Sequence, residues 1–148
     1  MSAQNLEVLD HTVQLTHEWV NELRERLDWP SSRDALRLMR AVLTEVRDHI
    51  PHAEVAQLSA QMPLLIRGMF FEGWQPARTS GHDRDAAHFL AAIDRRVGQV
   101  DGYRGRDDIA AVFATLANRV SEGELRHVRH ALPPAIRSFW PADTIWDD

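Results

Sequence analysis

The sequence contains no cysteine, which excludes a disulfide framework, a thiol nucleophile and a thiolate metal site. Lysine is missing as well. All 17 basic residues are arginine, so Schiff-base chemistry and a lysine general base are excluded too. No apolar stretch approaches the roughly 20 residues needed to cross a bilayer. Met1 to Leu6 lack the basic start and apolar run of a secretory signal, so a cytoplasmic location without a membrane partner is expected. No Pro-rich, Gly-rich or homopolymeric run marks a disordered half. A net charge of -5 argues against whole-molecule attraction to nucleic acid or anionic lipid. Gly-rich phosphate loops, nucleophile elbows and paired helical zinc motifs are also lacking, so no cofactor is expected and no catalytic residue is assigned.

What the sequence does have is repetition. Shifted by seventy residues along itself, it lays Trp19 on Phe89, Leu23 on Ile93, Leu27 on Val97 and Val42 on Val112. The register continues with Val46 on Leu116, Ile50 on Val120, Val55 on Leu125, Leu58 on Val128 and Met62 on Leu132. Identities cluster at Glu54/Glu124, Pro63/Pro133 and Ile66-Arg67/Ile136-Arg137. Matched apolar positions alone follow from any two amphipathic helices. A matched glutamate is harder to derive from core periodicity, and internal repetition fixes architecture.

The expected fold is therefore all-α: an internally duplicated chain of eight helices in two four-helix repeats about seventy residues apart. The first repeat spans 1–76, a linker 77–83, and the second repeat with a C-terminal tail 84–148. Each half alone buries little apolar surface, so the repeats should pack together as one domain.

Local signals place the helices. Leu9, Val13, Val20, Leu23 and Leu27 recur at helical spacing from about Asn5. Trp29-Pro30-Ser31-Ser32 breaks that helix, and a serine then offers an oxygen to the next one, which carries Ala35, Leu38, Met39, Val42, Leu43, Val46 and Ile50. Pro51 stops it, a third helix runs from about His52 to Gln61, and Pro63 opens a fourth. In the second half Asp83 or Asp85 caps a helix with Phe89, Ile93 and Val97, and Gly98 to Gly105 form a loop. A helix with Ile109, Val112, Phe113 and Leu116 follows. Ser121 and Glu124 have the spacing of a capping box, in which serine and glutamate satisfy each other's backbone donors.

Ser59 to Pro76 contains Gln-Met-Pro, Arg-Gly and Gly-Trp-Gln-Pro in order, and Val46-Arg47-Asp48, Leu132-Pro133, Arg137 and Phe139-Trp140-Pro141 recur around it. Over nearly the whole chain this resembles the bacterial family catalogued as domain of unknown function 2267. Phe70 and Phe71 stand where that pattern has tyrosines, and His49 where it has a second arginine. The resemblance implies a duplicated helical fold and supplies no activity.

Arg67 and Arg137 hold matching places, each followed by aromatics: Phe70, Phe71 and Trp74 in one half, Phe139 and Trp140 in the other. One reading makes Arg67, Trp74, Arg137 and Trp140 a pair of binding sites for an anion, a carboxylate or a peptide. The other has each arginine satisfying a carboxylate or helix-end carbonyls while the aromatics fill the core. His127 and His130, three apart on a helix, are the only metal candidates worth naming, and no third ligand stands near them in sequence. No metal is assigned.

Two basic runs, Arg33-Arg37-Arg40 and Arg126-Arg129-His130 with Arg119 as a further candidate, lack the interleaved aromatics of a nucleic-acid surface. They read as solvated faces balanced by neighbouring acids: Glu25, Asp28 and Asp34 for the first, Glu122 and Glu124 for the second. The expected function is a small protein-binding or adaptor module. The alternative is a small-molecule or anion-binding protein, or an enzyme, working through the region of Arg67 and Arg137. Ile145 and Trp146 keep the tail apolar, so it should dock on the protein's own helices, with a homodimer contact as the other use.

Overall fold

Helix follows helix throughout the computed structural model, which describes residues 6–79 and 85–141. The elements are α1 (Glu7–Leu27), α2 (Ser32–Asp48), α3 (His52–Ser59), α4 (Leu64–Phe71), α5 (Pro76–Thr79), α6 (Ala86–Val97), α7 (Arg106–Arg119), α8 (Glu122–Ala131) and α9 (Pro134–Arg137). No strand occurs among the described residues. The single turn α5 occupies the start of the stretch that composition marks as a linker. The docking expected of Ile145 and Trp146 lies outside the described residues.

The helix ends form where the sequence places the chemistry for them. Ser31 Oγ accepts from the Asp34 N–H at 3.1 Å and opens α2, while an Asp85 carboxylate oxygen accepts from the Ala87 N–H at 2.8 Å and opens α6. Gly105 precedes α7 with φ +89° and ψ -121°, a conformation that only a residue without Cβ adopts at low cost. The capping box at α8 is only half made. Ser121 Oγ accepts from the Glu124 N–H, but the Ser121 N–H goes to Gln61 Oε1, leaving the Glu124 side chain to other use.

The core lies between the halves and belongs to both. α2 packs on α1, α4, α6 and α7; α1 also meets α4 and α7; and α3 meets α8. The stripe Ala35, Leu38, Met39, Val42, Leu43 and Val46 is fully covered, and Leu23, Phe89, Ile93, Val112 and Phe113 join it in one cluster. Polar groups fasten the same seam. Glu22 of α1 accepts from Asn118 at 2.9 Å and from Arg119 Nε at 2.7 Å, both at the end of α7.

Candidate functional site

The residues singled out from sequence divide between core and surface. Arg67 sends Nε to the Ser59 carbonyl, eight residues back, and Nη2 to the Met62 carbonyl, five back. Arg137 sends Nε to the carbonyls of Arg129 and Leu132, at the same two separations, and Nη2 to that of His130. Each guanidinium thus takes up carbonyls at and just beyond the end of the helix before its own. Trp74 is half-buried, with its ring 5.4 Å from Phe71 and from His52. Trp140 is buried and stacks on Phe113 at 4.5 Å, and Phe139 lies 5.1 Å from Phe89. Arg67 and Arg137 are therefore not brought together around one opening. His127 and His130 are both exposed, and among the described residues only His127 approaches a carboxylate, with Nδ1 3.8 Å from Glu124 Oε1.

A different set of arginines does converge. A cleft of about 540 Å³ opens along α2, with α4 on one side and α6 on the other, lined by Arg33, Arg37, Arg40, Arg47 and Arg96 together with Glu72. The α2 members lie 4, 3 and 7 residues apart, which keeps them on one stripe of the helix opposite its buried face. Two of these cations organise the cleft. Arg47, only 4% exposed, donates to the Phe70 carbonyl at 3.0 Å, the Glu72 carbonyl at 2.9 Å and Asp48 Oδ1 at 2.9 Å, so it pins the end of α4 to α2. Arg40 pairs with Glu72, and Arg96 approaches Glu45 Oε2 at 3.4 Å.

Arg33 and Arg37 are exposed and make no ion pair among the described residues. The expected neutralisation by Glu25, Asp28 and Asp34 does not form there. Arg40 instead reaches across to Glu72, 32 residues on. The arginine stripe of α2, Arg47 included, was legible in the sequence, but the approach of Arg96 was not, because it is set by how α6 packs on α2. In the second run, Arg119 pairs with Glu22 and Arg126 with Glu122.

Burial governs the charge at the edge of this cleft. Glu45 is pushed above the ordinary glutamate value by burial, which outweighs the attraction of Arg96 and His49. A carboxyl whose pKa is raised in the fold stabilises it at low pH, and that contribution is lost as pH rises through the folded value. Glu45→Gln should therefore gain melting temperature relative to the parent as pH is taken from about 5 to about 7.5. A difference that does not change over that range would show that Arg96 fully offsets the burial.

The amino-acid sequence places the chain in a family whose description carries no reaction. None of the curated proteins matches the chain. Residues 16–139 match the family model described as uncharacterized conserved protein (DUF2267), which takes in both arginine clusters and every helix from the middle of α1 to α9. The chain belongs to that family.

Proposed function

We propose that the protein is an anion-binding protein that takes a phosphate- or carboxylate-bearing small molecule into the arginine-lined cleft. The observation that carries this reading is five arginines facing one carboxylate around about 540 Å³, with Arg33 and Arg37 making no ion pair among the described residues. That volume falls in the range of small-molecule sites. Guanidinium groups bind such anions through paired, charge-assisted hydrogen bonds. The cleft offers little for acid–base work: Glu72 is held by Arg40, and Thr44 is the only hydroxyl among the lining residues. This favours binding over catalysis. The duplicated architecture belongs to the same reading, supported by the matched reach of Arg67 and Arg137 to carbonyls eight and five residues back.

The test is calorimetric titration with inorganic phosphate, pyrophosphate and citrate at low ionic strength, repeated with added salt. Replacing both Arg33 and Arg37 with alanine should weaken binding by roughly 100-fold or more, since two charge-assisted bonds together contribute about 3–6 kcal/mol. Both side chains are exposed, so the fold should be unaffected. Equal affinity in parent and double variant would sink the assignment.

A second reading, docking of a protein partner, has its own observation. Leu6, Val8, Leu9 and Val13 on the first turns of α1 and Leu64 and Leu65 at the start of α4 are all more than 40% exposed. The Leu65 N–H donates to Thr12 Oγ1 at 2.9 Å, which sets these two groups side by side. Apolar side chains clustered in this way suit a protein contact, with a second copy of the chain as the simplest occupant. Sedimentation that stays monomeric over a hundredfold concentration range would remove that form of the reading.

A further inference from the structure

Away from the arginine cleft, α3 lies against α8, and the two matched glutamates meet there. Each is the third residue of its helix, Glu54 in α3 and Glu124 in α8. Both face the same small space, and His127, one turn beyond Glu124, adds an imidazole. One ligand atom from each of the three lies within 4.8 Å of the other two. The Glu124 side chain is 8% exposed, yet its Oε2 has no hydrogen-bond partner among the described residues, and neither has the buried Oε1 of Glu54. Arg126, two residues on, sends its Nη2 to Glu122 and not to this pair.

Two shielded carboxylates side by side are costly. Either a proton or a cation must sit between them. We propose that Glu54, Glu124 and His127 form a binding site for a divalent transition-metal ion of the zinc class, tying α3 to α8. The donor set selects the metal. An imidazole beside two carboxylates suits zinc and its first-row neighbours, whereas magnesium and calcium take oxygen ligands.

Three protein ligands also match a zinc site that keeps an open position, and His127, 65% exposed, stands at the solvent side where that position would fall. Ligand atoms around tetrahedral zinc lie about 3–3.5 Å apart, so the trio, within 4.8 Å of one another, must close by at most roughly 1.3–1.8 Å. A rotamer change of the exposed His127 supplies that movement with little disturbance of the core. A bound dication would supply the positive charge that the glutamate pair lacks.

The sequence offers no nearby third ligand for His127 because the third ligand, Glu54, is 73 residues away. Glu54 reaches it only through the packing of α3 on α8. Nor does Glu124 close the capping box on Ser121, so its carboxylate is available.

The test uses the full chain, stripped with a chelator and titrated with zinc chloride by calorimetry, and with cobalt(II) by visible absorption. One ion per chain is expected. Saturating zinc, at about a hundredfold over Kd, should raise the melting temperature by roughly 5–10 °C. His127→Ala should weaken binding at least tenfold without unfolding the protein, since the side chain is exposed, and Glu124→Gln should abolish it. His130→Ala should bind as the parent does. Far-UV dichroism confirms that each variant is folded. The proposal is overturned if the parent takes up no more zinc than a Glu54→Gln, Glu124→Gln, His127→Ala triple variant. It is equally overturned if His130→Ala loses zinc while His127→Ala keeps it. A carboxyl pair that merely shares a proton would give the first of these results.

Discussion

Phe89→Ala is expected to destabilise the protein by about 3–5 kcal/mol, the largest effect of any single substitution considered for this chain. Phe89 is fully buried on α6, with its ring 5.1 Å from Phe139 and edge-on to His49 at 5.5 Å. The Arg106 guanidinium covers the Phe139 ring at 4.0 Å, so one truncation loosens contacts among α2, α6, α7 and the residues after α9. The cavity cannot close by a local shift, because the surrounding groups are already held by these contacts. For a chain of this size the melting temperature should fall by roughly 10 °C. Phe89→Leu, which keeps most of the volume, should cost about 1–1.5 kcal/mol. Thermal or chemical denaturation checks both. An alanine variant within 1 kcal/mol of the parent would mean that the two halves do not share this core.

Arg47→Met should cost roughly 2–5 kcal/mol, because it keeps the aliphatic stem and removes every donor. The carbonyls of Phe70 and Glu72 would lose the cation that holds them, and Asp48 would lose its partner at 2.9 Å. Lysine is not a substitute. A single ammonium does not reproduce the planar fork that serves two carbonyls and a carboxylate from different nitrogens. The same change releases the turn at Glu72 and Gly73, which forms one wall of the cleft. Arg47→Met is therefore expected to weaken pyrophosphate binding along with stability, whereas the exposed Arg33→Ala and Arg37→Ala changes weaken binding alone. Comparing denaturation with calorimetry separates the two classes. An Arg47→Met variant with parental stability would show that water satisfies those carbonyls.

The sequence by itself determined the longer helices and most of their ends, while the single turn α5 falls where composition reads a linker. Ser31 and Asp85 cap because a short side-chain oxygen follows a break and precedes an apolar stripe. Pro51 and Pro63 stand just ahead of α3 and α4 because proline lacks the N–H that a helix interior needs. The buried stripe of α2 was legible at 3.6-residue spacing, and so was the arginine stripe opposite it. All of these are local signals, read within a few residues.

Tertiary structure alone decided which charges meet. Arg40 passes over the nearby acids to reach Glu72, and Arg96 joins the cleft from another helix. Arg67 and Arg137, the most conspicuous cations in the sequence, turn back to carbonyls at the end of the preceding helix, α3 and α8 respectively. Glu54 and Glu124, spaced as helix-capping residues, face each other across the seam between the halves. The physical reason is range. Helix formation is fixed by hydrogen bonds four residues long, whereas the partner of a charge is whatever group the packing of two apolar faces carries beside it. That packing depends on side-chain volumes along the whole core, which no short stretch of sequence contains.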